Sequence, residues 1–442
     1  MQAPVVAAGE LATRFPQGSR LVRLASGAKP ASLVNLTPEF FAAADPQVSF
    51  DGARVLFAGQ KEPGARWQIW EMNADGSQER QVSSGPDDCL RPAYLPREEV
   101  VFTVTRGSGR QTTSQLVVST RDGSEARPIT FGPGNFQVET VLQNGLILAS
   151  AVSPLLPGSE ADGSRELYTL RPDGSGLASF RCDHQQRVVR AEAEELGDGS
   201  VVYVKNARAD HEVGGELAQI RRGALHNSII SPLQVVSWSP RCLEGEKLIV
   251  ARKALASRPA KGKFDLYAFD SASGKFGEPF YQDPELSSVQ AVPLAAHPVP
   301  RWYWSTLNPD LKVGYFICLD SYRALDAPKG RITKPIAKVR VLALDPASHQ
   351  ESALGEAPVE KDGSFYIAVP PDRPVRFELL DSNNSLIRAQ RSWIWARSGE
   401  ERGCAGCHED KTLAPENRWP ETLRRFDTPT CLGVPPAAQP AH

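Results

Sequence analysis

Nothing in this sequence approaches the 18 consecutive apolar residues of a bilayer-spanning helix. The first residues, Met1-Gln2-Ala3-Pro4-Val5-Val6, have neither the basic nor the apolar stretch of an export signal. An excess of one charge is also missing: 50 Lys and Arg face 52 Asp and Glu, for a net charge of −2. That balance argues against a nucleic-acid binder and leaves no polybasic anchor for a membrane surface. Ser, Asp and His occur without the local context of a hydrolytic triad, and no phosphate-binding loop is found. Met is nearly absent, with Met72 the only one after Met1. Gly (35) and Pro (36) are plentiful among the 442 residues, which suits short strands joined by turns in two or three domains.

Against this background one short segment carries chemistry. Cys404-Ala405-Gly406-Cys407-His408 reads C-x-x-C-H, the spacing at which two thiols add to the vinyl groups of one haem and leave the histidine beneath the iron. Seven Cys and seven His would produce it by accident in roughly one such chain in 600. Three other readings stay open. A redox dithiol wants its first Cys at a helix N-terminus in a βαβ pattern, which is absent. Zinc needs a fourth ligand, and no second C-x-x-C or H-x-H lies nearby. A structural disulfide gains little from so small a loop. Cys89, Cys182, Cys242, Cys318 and Cys431 remain, an odd number whose pairing the sequence does not disclose.

The first three hundred residues repeat loosely, with a period near 45. One unit holds Asp45-Pro46-Gln47-Val48, Val55-Leu56-Phe57-Ala58, Gln68-Ile69-Trp70-Glu71-Met72, the turn Asn73-Ala74-Asp75-Gly76-Ser77 and Arg80-Gln81-Val82. The order recurs with turns at Asp122-Gly123-Ser124 and Asp173-Gly174-Ser175, and twice more without them. Each unit reads as four short strands, the Asp-Gly pair suiting a tight primed turn. Such a unit cannot bury both faces alone, so the units are expected to pack as propeller blades. The sixth blade is expected to be shared, with outer strands from residues 21–24 and 32–36 and an inner one from 289–293. The segment Ile69–Ser77 resembles the TolB-like six-bladed propellers of bacterial envelopes.

Beyond Pro300 the repeat stops. Gly314–Leu319 reads as a strand leaving the propeller, followed by alternating strands at Ala337–Leu344, Ser364–Val369 and Val375–Asp381. Asp362-Gly363-Ser364-Phe365 before a central strand resembles carboxypeptidase-regulatory-like β-sandwiches. Then Gln390-Arg391-Ser392-Trp393-Ile394-Trp395-Ala396-Arg397-Ser398-Gly399-Glu400-Glu401-Arg402-Gly403 runs into Cys404. This stretch is similar to the hydrazine synthase alpha-subunit-like family, over most of residues 40–425 and most densely from Gly355 to Glu409. The resemblance implies a covalent c-type haem, one per chain, on Cys404 and Cys407. It also implies an exported bacterial protein, periplasmic or extracellular, whose signal sequence has been removed. Hydrazine synthesis in that family depends on a multi-subunit assembly with further haems, whereas this chain has one C-x-x-C-H.

The fold expected is therefore all-β: an N-terminal tail over 1–19, a six-bladed propeller over 20–300, and a linker strand with a β-sandwich over 301–390. A haem c segment over 391–432 and a mobile tail over 433–442 complete it. His408 is the expected axial ligand of the iron. The sixth position is open or weakly held, with His297, near the propeller exit, a candidate distal ligand and Met72 assigned to core packing. Trp393 and Trp395 alternate, so they either pack against the porphyrin or fill the core beside it. Arg391, Arg397 and Arg402 suit haem propionates or solvent. Residues 415–426 suggest a short wrap over the haem. The leading functional reading is electron transfer to a redox partner protein. The alternatives are a redox enzyme or subunit acting on a small nitrogen or oxygen species at an open haem, and a propeller interaction module with a structural haem.

Overall fold

A computed structural model describes residues 18–25, 33–107, 112–152, 165–180, 188–206, 214–221, 227–232, 234–254, 262–324, 327–345, 348, 350–390, 392–406 and 416–438. These residues are all-β apart from three single turns of 3₁₀-helix. Among them, no helix is long and apolar enough to cross a membrane.

Five four-stranded blades occupy the propeller. Blade 1 is β3 (Ala42–Val48), β4 (Arg54–Gln60), β5 (Gln68–Asn73) and β6 (Arg80–Gln81), and blade 2 is β7 (Asp88–Leu95), β8 (Glu99–Arg106), β9 (Thr113–Thr120) and β10 (Arg127–Pro128). Blade 3 is β11 (Gln137–Val141), β12 (Ile147–Val152), β13 (Arg165–Leu170) and β14 (Ala178–Ser179). Blade 4 is β15 (Val189–Glu195), β16 (Val201–Asn206), β17 (Glu216–Ile220) and β18 (Ser228–Ile229). Blade 5 is β19 (Val235–Glu244), β20 (Lys247–Ala254), β21 (Asp265–Asp270) and β22 (Lys275–Tyr281). The blades stack because their second strands are apolar on both faces; Leu56, Phe57, Val100, Val101, Ile147 and Leu148 are all buried.

The Asp-Gly turns form, but not as two-residue primed turns. Only the glycine takes positive φ, at 90° for Gly76, 85° for Gly123 and 82° for Gly174. The aspartate instead accepts hydrogen bonds from the serine that follows, as in Ser77 N–H and Oγ–H to Asp75 Oδ1 at 2.9 and 2.7 Å. The Asx side chain mimics a backbone turn, so Asp need not enter the left-handed region. The same triplet recurs at Asp198–Ser200 and, beyond the propeller, at Asp362–Ser364.

The sixth position departs from the expected blade. Its outer part is the ribbon β1 (Val22–Arg23) with β2 (Val34–Asn35), while residues 289–293 form no strand among those described. Gln290 takes φ 55°, which breaks the extended run. It repeats the bulges of the inner strands, where Asp45, Arg91, Glu192 and Ser239 have φ of 54°, 49°, 53° and 44°, and where β11 is bulged between Val138 and Thr140. Bulges re-aim side chains, and here they bring polar groups together at the axis. Gln290 Nε2 donates to Asp45 Oδ1 at 2.7 Å, Asp45 N–H donates back to Gln290 Oε1 at 3.0 Å, and Gln290 N–H donates to Ser239 Oγ at 2.9 Å. The ring is thus closed across 245 residues of chain by side-chain bonds instead of a strand.

Arg91 sits inside that ring. Its guanidinium pairs with Glu192, two blades away, and with Glu139 at 3.5 Å, while its N–H donates to Asp45 Oδ2 at 3.0 Å. Burial pushes the Asp45 carboxyl upward, against the pull of Arg91 and Gln290. Burial raises Glu139 as well, whereas at Glu192 the pull of Arg91 and Arg241 overcomes burial and lowers it.

A second buried carboxylate ties blade 1 to blade 2. Glu71 receives Arg80, Arg54 at 3.3 Å, Arg121 at 2.9 Å and the Tyr94 hydroxyl at 2.9 Å. Burial opposes its charge, but Arg80 and Arg121 outweigh that and hold the carboxyl below its ordinary value. A depressed carboxyl adds stability above its unfolded value, and that stability is lost as pH falls through the folded one. Glu71→Gln is expected to cost about 1–3 kcal/mol at neutral pH, with the difference from wild type shrinking below about pH 4. Urea unfolding across that range checks it; a gap independent of pH would point to lost packing.

From Gln290 the chain crosses one face of the propeller as an irregular strap. His297 N–H donates to Phe50 O at 2.9 Å, Arg301 N–H to Gln143 O at 2.9 Å, and Ser305 Oγ–H to Asp173 Oδ2 at 2.7 Å. Gly145 is needed there, since a Cβ would lie 2.2 Å from Arg301 O and the residue's φ is 82°. The strap leads to two packed sheets. One has the order β29 (Glu401–Cys404), β23 (Gly314–Cys318), β26 (Phe365–Val369), β30 (Thr430–Cys431). The other has β25 (Glu351–Pro358), β24 (Lys338–Leu344), β27 (Val375–Leu380), β28 (Leu386–Ala389). Phe316, Cys318, Val339, Val341, Ile367 and Val375 fill the space between them.

Three expectations change here. The strand at 314–318 does not simply leave the propeller; it lies inside the first sheet, between β26 and β29. Residues 401–404 and 430–431, read as parts of a separate haem segment, are strands of that same sheet. The tail expected to be mobile is packed at least through Val434, which is buried against Val313 and Ala368; residues 439–442 lie outside the described ones.

Candidate functional site

The C-x-x-C-H motif begins at the end of β29. This strand runs parallel to β23 with Tyr315 opposite Glu401, Phe316 opposite Arg402, Ile317 opposite Gly403 and Cys318 opposite Cys404. Leu319 N–H donates to Cys404 O at 2.9 Å, which anchors the strand's last residue. Cys404 is half-buried, and its strand is the sheet's edge. Cys407 and His408 lie outside the described residues, as does Arg391.

The segment before the motif is a staple between the two units. Trp395 is wholly buried (0% exposed), among Leu170, Leu177, Ile129 and Phe136 of blades 2 and 3. Its ring meets Phe131 and Phe136 edge-on at 5.8 and 5.6 Å, and its indole N–H donates to Gly174 O at 3.1 Å. Trp393 is buried too, with the Arg376 guanidinium 5.6 Å from its ring. Each indole thus has a structural position in the protein core.

The arginines are likewise occupied. Arg397 donates to Asp173 O, pairs with Asp372 at 2.6 Å and lies 4.8 Å from the Phe131 ring. Arg402 donates to Trp395 O and Leu177 O, and its guanidinium lies 5.5 Å from the Phe316 ring. Burial pulls Arg402 below its ordinary value, with Glu400 and Cys404 acting the other way. Glu400, not singled out from sequence, caps both sides of the joint: it accepts from Gly176 N–H at 2.7 Å and from Arg397 N–H at 2.8 Å. A Gly174-Ser175-Gly176 turn opposite a Trp-x-Arg-x-x-Glu run was the only available signal, and it needs the fold to be read.

His297 is held by the strap, where its Nε2 lies 3.1 Å from Val48 O and its ring 5.3 Å from Phe50. It therefore belongs to blade 1, whereas Cys404 belongs to the β23–β29 pair of the second unit. Met72 is buried with Val55 and Phe57, as core packing requires.

After the motif the chain returns to the same end of the sheet. Arg418 donates to Leu319 O at 3.1 Å and to Asp362 O at 3.0 Å, Glu421 N–H to Asp362 Oδ2 at 3.0 Å, and Thr422 N–H to Ser364 Oγ at 3.0 Å. Trp419 is left 65% exposed beside this anchor, and Phe426 is 99% exposed. A bare indole one residue from the side chain that holds Leu319, itself bonded to Cys404, fits a site covered by a large planar apolar group. A half-buried thiol on an edge strand also fits covalent attachment of such a group. Among the described residues, no cluster of three or more His, Cys, Asp or Glu is arranged to hold a metal ion.

The family model of the hydrazine synthase alpha subunit middle domain matches residues 333–409. Hydrazine synthase subunit alpha from Kuenenia stuttgartiensis is 23% identical, across 89% of this chain and 63% of that protein. The chain thus spans a little under two thirds of that relative's length. The solved Kuenenia stuttgartiensis hydrazine synthase matches 96% of this chain and 70% of that chain, at 21% identity and a TM-score of 0.83, a likeness of fold. TolB from Acinetobacter baumannii matches 56% of this chain and 59% of that chain, at 13% identity and a TM-score of 0.37.

Proposed function

We propose that this chain, which is similar to hydrazine synthase subunit alpha, is a haem-bearing redox subunit of the hydrazine synthase alpha-subunit-like family acting on a small nitrogen or oxygen species. One observation carries the reading. The family segment, residues 333–409, ends just past Cys404-Ala405-Gly406-Cys407-His408, so the middle domain and the motif form one unit.

In this reading Cys404 and Cys407 would hold one haem c by thioether bonds and His408 would ligate its iron. The bound haem would supply a redox-active iron able to take a small ligand. The protein's own contribution is positioning. The β23–β29 pairing fixes Cys404, while Arg402, Glu400 and Trp395 lock that strand to blade 3, and Trp419 offers an apolar cover. The propeller is a rigid platform, closed at its axis by the Arg91 network. In this reading the protein works outside the cytoplasm, where haem c is attached, in a multi-subunit assembly with a redox partner protein.

Electron transfer is the second reading, favoured by the presence of only one C-x-x-C-H. Absorption spectra separate the two. An iron that binds CO or cyanide is the expected result; six-coordinate low-spin bands unchanged by either would return the assignment to electron transfer. Cys404→Ser is expected to remove one thioether, shift the pyridine haemochromogen band and lower haem retention on a denaturing gel. Unchanged band and retention would end the attachment argument.

A further inference from the structure

Cys318 and Cys404 are register partners on adjoining parallel strands. Neighbouring strands run about 4.8 Å apart, which puts the two Cα atoms inside the roughly 4.4–6.8 Å that a disulfide spans. Both side chains enter the same core, where Cys318 is buried and Cys404 packs at its margin. The register is held on either side by Tyr315 N–H to Glu400 O at 2.8 Å and Leu319 N–H to Cys404 O at 2.9 Å. The other described cysteines are placed elsewhere: Cys89 in the core between blades 1 and 2, Cys242 near the end of β19, and Cys431 on the sheet face opposite that core.

We propose that, before any haem is attached, Cys318 and Cys404 form a reversible disulfide that withholds Cys404 from attachment. The bond follows from the strand register alone; its consequence for loading rests on the haem reading given above. Cys404 is the more exposed thiol and reacts first. Its thiolate attacks a disulfide oxidant such as oxidised glutathione, forming a mixed disulfide and releasing one thiol. The Cys318 thiolate then attacks the Cys404 sulfur and releases the second thiol. Two S–H bonds are lost, one S–S bond forms, and the oxidant takes up two electrons and two protons. A dithiol reverses the exchange, after which the Cys404 S–H adds across a porphyrin vinyl group with no net redox change. Directly opposed positions on parallel strands hold the Cβ atoms near the strand spacing, wider than the about 3.8 Å that a relaxed disulfide prefers. The bond is therefore strained and easily reduced, as a latch must be.

The test uses the full chain produced without haem-attachment machinery. It is equilibrated in oxidised glutathione, blocked with N-ethylmaleimide in denaturing urea and mapped by mass spectrometry without reduction. A peptide joining Cys318 to Cys404 is expected, with Cys89, Cys242 and Cys431 alkylated, and dithiothreitol should restore alkylation at both. Cys404 left alkylated, or joined to Cys407 with Cys318 alkylated, would overturn the proposal. The wild-type map decides this even where Cys318→Ala fails to fold. If Cys318→Ala melts like wild type, it should lose the cross-link and take up haem without prior reduction, while oxidised wild type takes it up only after dithiothreitol. A persistent cross-link in a chain that never binds haem covalently would count against the haem reading and leave the disulfide standing.

Discussion

Replacing Arg91 by alanine is expected to destabilise the protein by about 3–5 kcal/mol, the cost of removing one partner from a buried ion network. Its guanidinium joins Glu139 and Glu192, and its backbone N–H binds Asp45. Without the cation, three carboxylates share a site that excludes water, and each is driven toward its neutral form. A carboxyl whose folded value is raised above the unfolded one favours the fold in acid and loses that advantage as pH rises through the folded value. The deficit of Arg91→Ala should therefore widen with increasing pH, and Glu192→Gln in the same chain should recover part of it. Urea unfolding of the single and double variants at pH 5 and pH 8 checks both points. A deficit equal at the two pH values would show that Arg91 matters for packing, not for charge.

Trp395→Ala should have an effect of similar size, about 3–5 kcal/mol, from lost burial and the cavity left behind. The indole is the largest fully buried side chain of the molecule's described part, and it enters the propeller from the other unit. Its removal also strands Gly174 O and loosens the Arg402 contact to Trp395 O. Calorimetry is expected to show the single transition splitting into two, one for each unit. The haem content per chain should stay as in wild type, because the indole packs against Phe131 and Phe136 of the propeller. A loss of the Soret band with an unchanged melting profile would instead put Trp395 against the porphyrin.

Much of the architecture is legible in local pattern. The 45-residue period, the apolar second strands and the Asp-Gly-Ser triplets are short-range features, and each maps onto a blade or turn. Tyr168 and Tyr267 fall on third strands, where the repeat puts them. The sixth position was less legible, because Gln290 replaces a strand by side-chain bonds to Asp45 and Ser239, and no periodicity encodes such a substitution. The axial ring was visible only as polar residues inside apolar inner strands, at 45, 91, 139 and 192. Its meaning needed the bulges that turn those side chains inward.

At the candidate site, Cys404 and the Trp- and Arg-rich approach were found from spacing and composition. Their neighbours were not. Cys318 lies 86 positions earlier than Cys404 in the chain (404 less 318) and meets it through a parallel pairing, which leaves no local sequence trace. Trp393, Trp395, Arg397 and Arg402 have the residue types of a haem pocket, yet the same types suit a domain joint.

The sequence by itself determined that the chain is all-β, repeats as blades, belongs near one family and carries a C-x-x-C-H motif, since strand alternation, turns and a fixed cysteine spacing are local properties. Tertiary structure alone decided that the axis is closed by buried charges, that Trp395 serves the propeller core, and that Cys404 lies beside Cys318. Those outcomes depend on which distant segments share a low-dielectric interior or a strand register, and that is settled only when the whole chain packs.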